Sequence, residues 1–134
     1  MANLYALQGR GKTGKTSTLK EVFNLLSQKY PLAVTEVIRQ TSDIKIIMLI
    51  NGIKVGIESE GDPNGRLEES LHDFVQSNCN VIFCAVRTRG MTVGWVNHYA
   101  ATYRIQYVGQ KLVKTDYTVT NVNTAQSLIQ TAGL

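Results

Sequence analysis

Two uninterrupted apolar runs, Leu4-Tyr5-Ala6-Leu7 and Val81-Ile82-Phe83-Cys84-Ala85-Val86, constrain the fold more than any other feature of the chain. Neither alternates with polar residues, so each reads as a strand covered on both faces. The covering elements are also legible. From Gly14 to Tyr30 the residues Leu19, Val22, Phe23 and Leu26 recur at helical spacing, and Pro31 ends the pattern. Leu67, Leu71, Phe74 and Val75 predict the buried face of a second helix. Thr92 is placed to cap a short third helix carrying Val93, Val96, Tyr99 and Ala100. A terminal helix, capped by Asn121 or Asn123 and closed by Gly133, carries Ala125, Leu128, Ile129 and Ala132 on one face.

The β-rich runs Ile44 to Ile50 and Ile53 to Ile57 are separated only by Asn51-Gly52, a pair that accepts positive φ at both centres of a type I′ turn. Arg104 to Val108 reads as a further strand. Leu32 to Ile38 fits an edge strand or a loop, and Leu112 to Thr120 is ambiguous. Buried strands alternating with amphipathic helices imply βαβ units. The expected fold is therefore a single α/β domain over residues 1–134, a three-layer α/β/α sandwich with a mainly parallel sheet and one antiparallel edge hairpin. Such sheets bind ligands beyond the carboxyl ends of their strands. The polar segments after residues 8, 57 and 86 fall at such ends.

Composition excludes several classes. With 134 residues, 43% hydrophobic and 18% charged, the chain can bury a core that offsets its ordering entropy. No apolar run approaches the roughly 18 to 20 residues needed to span a bilayer, and the first residues lack a signal-peptide pattern, so the expected location is the cytoplasm. Cys79 and Cys84 are expected as buried free thiols, and His72 and His98 stand apart from any zinc-like spacing. The net charge of +4 conceals an acidic block: residues 58–73 hold six Asp/Glu against one Lys/Arg. Arg10, Lys12 and Lys15 instead crowd into one glycine-rich loop, which suits a compact polyanion better than a nucleic-acid face.

That loop, Gly9-Arg10-Gly11-Lys12-Thr13-Gly14-Lys15-Thr16, matches G-x-x-x-x-G-K-[ST], follows a predicted strand and opens a predicted helix. By chance the four fixed positions would be met about once in a few hundred chains of this length. Consecutive N–H groups can curl around a phosphate only where no Cβ blocks the approach, and Gly9, Gly11 and Gly14 meet that need. The helix that follows turns its amino end toward the same anion. In this motif Lys15 reaches the β- and γ-phosphates, Thr16 supplies a hydroxyl to Mg²⁺, and Ser17 is placed for the α-phosphate. Arg10 and Lys12 add charge or are plain loop cations.

Through residues 9–16 the sequence resembles the P-loop NTPase superfamily. The resemblance implies a nucleoside triphosphate and Mg²⁺ as cofactors, with a carboxylate at the end of an apolar strand near the loop serving the metal. Glu58-Ser59-Glu60-Gly61-Asp62 is the segment that supplies one: Glu58 first for the metal, Glu60 or Asp62 for the attacking water or an acceptor, Asp62 also as a metal candidate. The same acidic stretch would also favour the amino end of the helix after it. Arg87 and Arg89, just past the second apolar strand, are placed to hold a γ-phosphate or are solvated charges.

The hairpin leading into Glu58-Ser59-Glu60-Gly61 looks like the strand pair of Ras-like GTPases, with Glu where they carry Asp. Their guanine-reading motif is approached only by Val113-Lys114-Thr115-Asp116, with Val for Asn. ATP is thus expected ahead of GTP. The readings left open are ATP hydrolysis, phosphoryl transfer to a small acceptor, and nucleotide sensing with a protein partner. Trp95, Tyr99 and Tyr103 form a partner or base-stacking surface or, at near-helical spacing, half-buried packing.

Overall fold

The computed structural model describes residues 2–9, 14–110 and 117–134. Its elements run β1 (Ala2–Gln8), α1 (Lys15–Lys29), β2 (Val34–Gln40), β3 (Ile44–Ile50), β4 (Ile53–Glu58), α2 (Leu67–Gln76), β5 (Val81–Val86), α3 (Met91–Asn97), β6 (Tyr103–Gly109) and α4 (Tyr117–Thr131). They form a six-stranded mixed sheet of order β2-β3-β4-β5-β1-β6. β4, β5, β1 and β6 pair in parallel, while β2–β3 and β3–β4 are antiparallel.

The two apolar runs occupy adjacent strands at the centre of the sheet. Tyr5 and Leu7 of β1 and Val81, Phe83 and Ala85 of β5 join a core with α1 and α4. Leu4 and Ala6 with Ile82, Cys84 and Val86 face α2 and α3. This alternation into two separate cores makes the three layers, because neither face of β1 or β5 offers a polar side to water. Phe74 of α2 lies over Gly56 of β4, where a Cβ would come within 2.7 Å of its ring.

The antiparallel part is larger than one edge hairpin. Asn51 (φ 48°) and Gly52 (φ 84°) form the expected tight turn, but β3 is interior, and the residues read as strand or loop become β2, the true edge. Every residue of β2 is exposed, so no burial periodicity could reveal it. Thr92 is not a cap: it lies within α3, and its Oγ1 accepts a hydrogen bond from Arg87 N at 3.0 Å. α4 begins before either Asn proposed to cap it. Tyr103 is buried and donates to Cys79 O at 2.6 Å, while Trp95 and Tyr99 pack half-buried on the same core. Cys79 and Cys84 are buried and unlinked. No helix among the described residues is long and apolar enough to cross a membrane.

Because β1, β4, β5 and β6 run the same way, the segments that follow them emerge at the same end of the strands. β3, antiparallel to β4, starts at that end, with Lys45 opposite Glu58.

Candidate functional site

At this end of the strands a cleft of about 700 Å³ opens, within the range of small-molecule sites. One wall is the start of α1, with Gly14, Lys15, Thr16 and Ser17. Gly14 takes φ +92°, a conformation that calls for glycine, and a Cβ on it would lie tightly, 3.1 Å from Asn121 Oδ1. The first turn of an α-helix leaves its amides without intrahelical carbonyls, and that turn borders the cleft. Arg10, Gly11, Lys12 and Thr13 of the motif lie outside the described residues, as do Val113-Lys114-Thr115-Asp116.

Lys15 is buried and its Nζ donates to Gly9 O, at the end of β1. Its pKa is lowered to about 8, chiefly by burial and then by the nearby Arg87 charge, with Asp62 acting in the opposite sense. Thr16 Oγ1 lies 3.1 Å from Asp43 Oδ1 and 3.5 Å from Ser59 O. Asp43 Oδ1 also accepts from Ser59 Oγ at 2.8 Å. Ser59 Oγ in turn accepts from Ile44 N at 2.8 Å, which fixes the network to β3.

The opposite wall is the acidic segment after β4. Glu60, Gly61 and Asp62 line the cleft, and Arg87, from the end of β5, closes it. Asp62 and Arg87 form an ion pair. Arg87 Nε is buried and has no hydrogen-bond partner among the described residues, a condition that costs free energy unless something polar meets it. Gly61 sits against the end of β5, where a Cβ would fall 2.7 Å from Ala85 O.

Glu58 takes a different place from the one its sequence position suggests. It is fully buried at the end of β4 and does not line the cleft. Arg66 grips it through Nε to Oε1 at 2.8 Å and Nη2 to Oε2 at 3.1 Å. Ser70 Oγ donates to Oε1 at 2.6 Å, and Glu60 N to Oε2 at 3.1 Å. Burial pushes the carboxyl pKa up, and these four donors pull against it. The carboxylate is thereby committed to holding α2 and the acidic segment together. Arg89 is exposed and is absent from the cleft lining. The strand that bears Glu58 is not beside β1 either, since β5 intervenes.

Asp43 is the residue that sequence reasoning missed. The signal was present: a two-residue Asn-Gly turn fixes the β3–β4 register, and counting back from it sets residue 43 beside the segment that follows Glu58. For a metal, no cluster of three His, Cys, Asp or Glu exists among the described residues. Mg²⁺ at phosphates needs less, one or two carboxylates with a hydroxyl, phosphate oxygens and water. Thr16 and Asp43 meet that requirement with hard oxygen donors. Comparison of the chain with models of known protein families, with curated proteins and with solved structures finds no match.

Proposed function

We propose that this chain binds a Mg²⁺-nucleoside triphosphate, ATP ahead of GTP, in the cleft between α1 and the acidic segment, and hydrolyses its β–γ bond as a P-loop NTPase. The observation that carries the reading is convergence. Lys15, Thr16 and Ser17 of the sequence motif border the same cleft as Asp43, Glu60 and Arg87, which arrive from three other parts of the chain.

In this reading Lys15 and Arg87 hold the terminal phosphates, and charge moving to the leaving oxygen is met by cations already in place. Thr16 Oγ1 and Asp43 would hold Mg²⁺, which neutralises phosphate charge when bound. Glu60, whose Oε1 accepts from Asp62 N at 2.9 Å, lines the cleft and would orient water, with Asp62 as the exposed partner that Arg87 exchanges for an anion. Glu58 organises this wall from behind.

Calorimetry with Mg²⁺-ATP and Mg²⁺-GTP tests the proposal. Lys15→Ala should reduce affinity by at least a hundredfold, since it removes a buried charge-assisted contact to phosphate. Unchanged binding in that variant would refute the assignment. Phosphate release measured with and without acceptors then separates hydrolysis from transfer.

A further inference from the structure

Behind the start of α1, outside the cleft lining, lies a compact polar cluster made of Thr18, Gln110 and Asn121. Thr18 is fully buried and Gln110 nearly so. Thr18 Oγ1 lies 3.1 Å from Asn121 Oδ1 and 3.3 Å from Gln110 Oε1, and Gln110 Nε2 donates to Asn121 Oδ1 at 3.3 Å. A hydroxyl has one proton, so Thr18 serves the two acceptors by turns, and the three side chains act as a unit.

The cluster is tied to both flanks of the glycine-rich segment. Gln110 N donates to Gln8 O at 2.7 Å, one residue before Gly9. Thr18 N donates to Gly14 O at 2.9 Å. The Cα of Gly14 faces the Asn121 amide, as the short distance to a notional Cβ shows. The residue after β6 is thus bonded to the end of β1, and α4 packs against Gly14 at the start of α1.

We infer that Thr18 and Asn121 are positioning residues: through the cluster with Gln110 they hold Gly14 in place, and so set where the first turn of α1, with Lys15 and Thr16, meets phosphate. The inference rests on the nucleotide reading above. Neither side chain lines the cleft. Their effect falls on affinity, because a helix start that is not held in place must be positioned by the ligand itself.

The experiment measures Mg²⁺-ATP affinity by calorimetry, and turnover at saturating ATP, for Thr18→Val, Thr18→Ser, Asn121→Ala and Thr18→Val/Asn121→Ala, beside Lys15→Ala. Thr18→Val keeps the shape and removes the hydroxyl. It and Asn121→Ala should each raise Kd about tenfold, with saturated turnover nearly unchanged. Thr18→Ser, which keeps the hydroxyl, should bind close to wild type. The double variant should bind no worse than about the weaker single one, since both act on one unit. Wild-type affinity in Thr18→Val and Asn121→Ala, with binding lost in Lys15→Ala, overturns this inference alone. Full affinity in Lys15→Ala overturns the nucleotide reading and takes the inference with it. A lower melting temperature with unchanged Kd assigns the cluster to packing and also overturns it.

Discussion

The chain buries a charge at each of two neighbouring places, behind the turn that follows β4 and at the start of α1, and treats them in opposite ways. Glu58 is met by four donors and an opposite charge. Lys15 is buried near a second cation, Arg87, and burial first, then that charge, lowers its pKa to about 8. A buried charge gripped by an opposite charge holds elements in place, whereas burial near a like charge makes the charged form the more costly one to keep. The difference separates a carboxylate spent on holding the fold from a cation that borders the cleft, although sequence position alone places both in the site.

The largest effect should come from dismantling the paired charge. Glu58→Ala leaves Arg66 and Ser70 without their acceptor and should destabilise the protein by about 3 kcal/mol in urea unfolding. An unmoved midpoint would mean that Glu58 is not committed to that role, and its claim on the metal would return.

Next in size is Asp43→Asn, which should raise the Mg²⁺ concentration for half-maximal phosphate release roughly 10- to 100-fold with little change in the unfolding midpoint. The contrast with Glu58 collapses if Glu58→Gln, and not Asp43→Asn, shifts the Mg²⁺ dependence.

The smallest effect concerns Lys15 in the ligand-free protein. Its folded pKa is lowered, so below pH 8 both folded and unfolded states hold the proton and the burial penalty is fully present. Between pH 8 and 10.5 the unfolded state binds more protons than the folded one, and stability rises with pH. Lys15→Met should therefore stabilise the empty protein by roughly 1 kcal/mol at pH 7, a gain that fades toward pH 10.5. A destabilised variant, or a pH-independent gain, would show that the cation is well accommodated without any ligand.

What the sequence disclosed followed physical period and local chemistry. β1, β5 and α1 were legible because Leu4 to Leu7, Val81 to Val86 and the Leu19, Val22, Leu26 stripe encode burial directly. The β3–β4 turn was legible because Asn51 and Gly52 tolerate positive φ. β2 was not, since an edge open on both faces has no apolar alternation to read. The cleft was half visible: the motif residues Lys15 and Thr16 announce themselves, while Asp43 reaches Thr16 only through sheet pairing. Glu58 misled because Arg66 and Ser70, which claim it, sit eight and twelve positions away across a turn.

Gly61 gives the acidic wall its mechanical character. Seated against the carbonyl of Ala85 with no room for a methyl group, and anchored at its root by Glu58, that stretch of main chain is pinned twice within a few residues. The easier motion for admitting a guest is then rotation of the Asp62 and Arg87 side chains about their own bonds, with the peptide backbone left standing.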